Sequence, residues 1–77
     1  MNNRIDNQVD ERDKKLHDKC QVEVLAFVTQ VEYDRCSVIQ LARKAMAKFR
    51  DYHEALHYAE KLAQGNVYYE KIIIRVN

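Results

Sequence analysis

The stretch from Ser37 to Gln64 contains neither glycine nor proline, in a chain whose single glycine is Gly65 and which has no proline. Apolar residues recur there at Val38, Ala42, Ala45, Phe49, Tyr52, Leu56, Ala59 and Ala63, in steps of four and three. That spacing lines one face of an α-helix. Ser37 and Gln40 stand at capping-box spacing, and Gly65-Asn66 supplies a stop. The pattern predicts one amphipathic helix over 37–64, roughly 40 Å long at about 1.5 Å per residue.

Such a helix is large for the chain that must bury it. A domain of 77 residues buries only about 60% of its unfolded surface, and its radius of gyration is expected near 11–12 Å, to order of magnitude. A second copy is the economical way to cover the excess, so a homodimer is expected. Thirteen basic against twelve acidic residues give a net charge of +1, which excludes the strong global positive field of a non-specific nucleic-acid binder. The start, Met1 to Asp6, has no apolar run after its charged residues, and the longest apolar run is Val24 to Val28. Neither a secretory leader nor a membrane span is expected. Cys20 and Cys36 then read as reduced thiols of a cytoplasmic protein.

Taken in order, residues 1–9 are polar and read as a flexible N-terminus, with residues 10–77 as one domain. The run DERDKKLHDK, Asp10 to Lys19, places acids early and bases late, as a short exposed helix does, with Leu16 as its apolar anchor. From Gln21 to Asp34 the chain is rich in β-branched and aromatic residues and reads as a strand over Val22–Val28, continuing irregularly to Tyr33. A change of parity at Thr29 and Gln30 suggests a bulge. Val67 to Val76, VYYEKIIIRV, is a second strand. The expected fold is therefore α+β: short helix, strand, long helix, C-terminal strand.

Two alternatives compete with it. Leu16, Cys20, Val24, Phe27, Val28 and Val31 also fit helical steps, which gives a long helical hairpin plus a C-terminal strand. Asp51 with Glu54 is a second capping box, which gives a ββαβ order with 38–49 as a strand and a helix starting at Asp51. The continuous apolar register through Phe49, Tyr52 and Leu56 favours the unbroken helix, and that helix returns the two strands parallel.

The most specific chemical pattern is His53-Glu54-Ala55-Leu56-His57. It resembles the H-E-x-x-H pattern of zinc metallopeptidases of the zincin class. The resemblance implies His53 and His57 as zinc ligands and Glu54 as general base. It covers five residues of the 77 and includes no further family ligand downstream. A structural zinc is the other metal reading, with His17 and Cys20 joining His53 and His57 in a four-ligand set. Against both stands the plain reading of two surface histidines, and the expected protein has no cofactor and is not an enzyme.

Arg43, Lys44, Lys48 and Arg50 cluster within two turns of the predicted helix, where they suit phosphate contacts or simply a solvated face. In the last strand, apolar residues fall on both faces, with Tyr69, Ile72, Ile73, Ile74 and Val76 exceeding the cover that one helix and one strand provide. An edge of that kind pairs with a symmetry mate or takes a partner's strand. The function expected from these features is binding of another macromolecule, a protein in the manner of a small regulator or inhibitor, by a homodimer. Nucleic-acid binding through the basic cluster and zinc binding through the HEALH histidines are the alternatives.

Overall fold

The structure, a computed structural model, describes residues 4–34 and 36–77; the side chains of residues 29–41, Cys36 and Val38 among them, lie outside the described part. The chain is α+β. Its elements are β1 (Ile5–Asn7), a 3-10 turn (Glu11–Asp13), β2 (Val22–Asp34), β3 (Cys36–Phe49), α1 (Tyr52–Gln64) and β4 (Lys71–Val76). The four strands form one sheet in the order β1-β4-β2-β3. On one of its faces lies α1, with Tyr52, Ala55, Ala59 and Ala63 buried against Val22, Val24, Ala26, Ile72 and Ile74. Three alanines on the inner side of α1 let its backbone come close to the isoleucines of β4.

The long helix over 37–64 is corrected to a strand and a helix. Residues Cys36–Phe49 pair antiparallel with β2 from Val22↔Phe49 to Asp34↔Cys36, as the ββαβ alternative anticipates for this segment. The physical reason lies in the partner: β2 is buried on both faces at Val24, Leu25 and Ala26 and needs a neighbour for its backbone groups. A segment whose residues Ala45 to Phe49 also alternate satisfies it, with Ala45 and Phe49 packed towards the helix and Met46 exposed. The helix begins only at the second capping signal. Asp51 is extended (φ −112°, ψ 127°) and its carboxylate accepts from the His53 N–H at 3.1 Å.

Inserting β3 also reverses the strand directions. β4 runs antiparallel to β2, not parallel; β3 and β4 run the same way, and α1 is the crossover between them, passing over β2. The register shift falls between Ala26 and Phe27, opposite the extra residue Lys44 on β3, whereas the side chains of Thr29 and Gln30 lie outside the described part.

The short N-terminal helix is corrected to a single 3-10 turn, Glu11–Asp13. Leu16 is 64% exposed and anchors nothing, and a short charged helix without a packed face is marginal in water. This segment is instead tied down by backbone and cation contacts. His17 N–H donates to the Arg50 carbonyl at 2.9 Å, Arg50 Nε returns a bond to the His17 carbonyl at 3.0 Å, and Lys14 Nζ lies 4.9 Å from the Tyr52 ring centroid. The segment expected to be a flexible N-terminus contributes β1, paired parallel with β4 at Ile5↔Ile72. Asn7 Nδ2 donates to the Tyr52 hydroxyl at 2.6 Å, and Val9 is buried in the core.

β4 is shorter than the predicted 67–76 and is not an edge. It lies between β1 and β2, and much of the apolar excess of the C-terminal strand is covered within one chain: Ile72 and Ile74 against α1, Tyr69 and Val76 partly buried against the same core, while Ile73 is half-buried on the opposite face. Val67 and Tyr68 are exposed. β2 pairs with β4 only up to Phe27↔Lys71, and β2 and β3 continue together from Val28↔Ala42 to Asp34↔Cys36 as a two-stranded ribbon. The ribbon explains a radius of gyration of 14.1 Å and extents of 48 × 24 × 17 Å, longer than a sphere of this chain length. Among the described residues, no helix is long and apolar enough to cross a membrane.

Candidate functional site

The other face of the sheet, opposite α1, is organised in three rows that follow from the strand register. The first is Lys71↔Phe27↔Arg43, the second Ile73↔Leu25↔Met46 and the third Arg75↔Glu23↔Lys48, each read from β4 across β2 to β3. Side chains alternate along a strand, so residues two apart share a face. Asp6 of β1 extends the second row beside Ile73. Adjacent strands lie about 4.8 Å apart, which sets the flanking cations of a row roughly 10 Å from each other and successive rows about 7 Å apart.

Each row has its own chemistry. In the third, Glu23 is buried at 4% exposure between its two cationic neighbours. Arg75 donates to its Oε2 from both Nε and Nη2 at 3.3 Å, and Lys48 Nζ stands 4.0 Å from Oε1. Two cations facing one carboxylate leave this row net positive. In the middle row Leu25 is 2% exposed and yet stands outside the helix-side core; Ile73 and Met46 flank it, with Met46 itself 55% exposed. In the first row Phe27 is half-buried between Lys71 and Arg43, and neither cation forms an ion pair with a described residue. Arg43 Nη1 donates to Met46 Sδ at 3.3 Å, a contact between the first row and the edge of the second. Counting Arg43, Lys48, Lys71 and Arg75 against Glu23 and Asp6, the three rows carry an excess of positive charge among the described residues, on a chain whose net charge is only +1.

The basic residues expected on a helix are therefore placed differently. Arg43 and Lys48 join this face from β3, Lys44 is the exposed bulge residue, and Arg50 is engaged with His17 beyond the end of β3. Phe27, Lys71 and Arg75 complete the set and are the residues that sequence reasoning missed. Their signal was present in KIIIRV, where Lys71, Ile73 and Arg75 alternate with the core isoleucines.

The HEALH residues lie elsewhere. His53, Glu54 and His57 are exposed on α1, and the His53 ring meets Tyr52 edge-on at 5.6 Å. His17 donates from Nε2 to the Asp13 carbonyl at 2.8 Å, and Cys20 is exposed. Among the described residues, no three histidine, cysteine or carboxylate side chains converge as a metal site, so the structure does not gather His17 and Cys20 with His53 and His57.

No protein-family model, no curated protein and no solved structure matches this chain.

Proposed function

We propose that this protein is a non-catalytic binding protein whose open sheet face takes an acidic macromolecule. The observation that carries the reading is the arrangement of Lys71, Arg43, Arg75 and Lys48 at the corners of an apolar centre made by Phe27, Leu25, Ile73 and Met46. Cations around a flat apolar strip match a polyanion with apolar elements of its own. A second copy suits this face poorly, because face-to-face packing would bring the same cations together.

Self-association belongs to another surface in this reading. β3 is the outer strand of the sheet and spans Cys36–Phe49, so its outward backbone groups are open to a second strand. A homodimer through β3 extends the sheet and sets two open faces side by side. Sedimentation over a concentration series checks it: the mass is expected to rise towards a dimer, and a monomer throughout removes this part.

Binding by the face is tested by salt elution from immobilised heparin, a polyanion. The Lys71→Glu/Arg43→Glu variant is expected to elute at much lower salt than the parent. Lys61→Glu, on exposed α1, is expected to shift far less. Equal losses would mean that bulk charge governs retention, and absence of retention in the parent at low salt would end the proposal.

A further inference from the structure

We infer that the acidic partner is a single-stranded nucleic acid, with Phe27 as a stacking platform for one base and Lys71 and Arg43 as contacts to the flanking phosphates. The inference rests on the polyanion reading and adds to it a demand for bases. Three observations carry it. Among the described residues Phe27 is the aromatic side chain of the three rows, half-buried on the central strand and bracketed across the sheet by Lys71 and Arg43. These two cations have no carboxylate partner among the described residues, unlike Lys48 and Arg75, which share Glu23. Arg43 donates from Nη1 to Met46 Sδ at 3.3 Å, which ties this cation to the residue at the edge of the apolar row.

A run of Asp and Glu supplies charge but no flat ring to set on Phe27, and duplex DNA keeps its bases stacked inside. A single strand offers both, with splayed bases for an aromatic platform and phosphates for the cations. Ile73 and Met46, one row on, offer a second apolar seat for the neighbouring base. The half-engaged Arg75 and Lys48 then continue the positive track to the third row.

The experiment is fluorescence anisotropy on the full chain with labelled single strands of about fifteen nucleotides. Oligo(dT) and oligo(rU) are compared with an abasic strand of the same length and with polyglutamate. Both base-bearing strands are expected to bind more tightly than the abasic strand, by about tenfold or more, and a preference between dT and rU distinguishes a DNA from an RNA partner. Phe27→Leu, its fold checked by circular dichroism, is expected to cut that advantage severalfold, and an undiminished advantage in the folded variant overturns the role of Phe27. Lys71→Gln and Arg43→Gln are each expected to weaken every strand and to lower the slope of log K against log salt by about 0.7.

Equal binding of base-bearing and abasic strands overturns the inference and leaves the polyanion reading in place. Binding of polyglutamate without binding of any strand overturns it in favour of an acidic polypeptide. No binding to any of the four probes overturns the inference and the polyanion reading together.

Discussion

Arg75 on β4 grips Glu23 on β2 through two guanidinium nitrogens at 3.3 Å, while Lys48 approaches the other carboxylate oxygen from β3. The carboxylate is nearly out of water, with a side-chain exposure of 6%, but its partners are half-exposed at 47% and 50%. Solvent therefore screens the pairing, and its worth lies nearer that of a surface pair than of a fully buried one. Glu23→Gln keeps the shape and an acceptor for Arg75. It is expected to cost about 1 kcal/mol in urea denaturation and to raise the salt needed for elution from heparin, since the face loses a negative charge. A fall in heparin affinity would show that Glu23 positions the cations rather than offsetting them.

Leu25 tests how the open face protects its apolar centre. Leu25 is 2% exposed on the face opposite α1, flanked in register by Ile73 and Met46. Leu25→Ala is expected to destabilise the fold by about 2–3 kcal/mol, the low end of leucine truncations, because those neighbours can settle into the space. A loss below about 0.5 kcal/mol would place Leu25 at the surface.

Asp51 marks the point where strand gives way to helix. Its carboxylate bond to the His53 N–H satisfies one of the open donors of α1. Asp51→Ala is expected to cost about 1 kcal/mol, and Asp51→Asn much less. Denaturation monitored by circular dichroism checks both, and equal effects would exclude capping as the cause.

Lys14 gives an alkaline signature. Its ammonium donates to Glu11 at 2.9 Å, and that hydrogen bond is the main reason its pKa is raised above the usual 10.5. A raised pKa in the folded state contributes stability that is complete below pH 10.5 and is lost as pH rises through the folded value. Glu11→Gln is expected to bring the Lys14 titration, followed by NMR, back towards 10.5 and to remove this part of the alkaline loss. An unchanged titration would assign the shift to the Tyr52 phenol group instead.

Some elements were legible from local pattern. The stripe Tyr52, Leu56, Ala59, Ala63 and the Asp51 cap describe α1 as it stands, because a capped amphipathic helix is specified by residues one turn apart. The β-branched runs at Val22 and Ile72 likewise announced β2 and β4. Residues 37–49 were not legible in this way. Val38, Ala42, Ala45 and Phe49 fit a helical step, while Ala45 to Phe49 also alternate, and nothing within the segment chooses between the two periods.

The choice is made across the sheet. Backbone groups of β2 need a neighbour, and the pairing from Val22↔Phe49 onward supplies it, a relation between residues far apart in sequence that no local spacing encodes. That pairing reverses the direction of β4 and frees the chain of a long helix that it could not bury. It also gathers Lys71, Phe27 and Arg43 into one row. Sequence alone determined the residue types, the helix cap and the strand-forming runs, since these depend on neighbours along the chain. Only the tertiary structure decided which cations share a face with Phe27, because that depends on strand register, set by burial and backbone pairing over the whole fold.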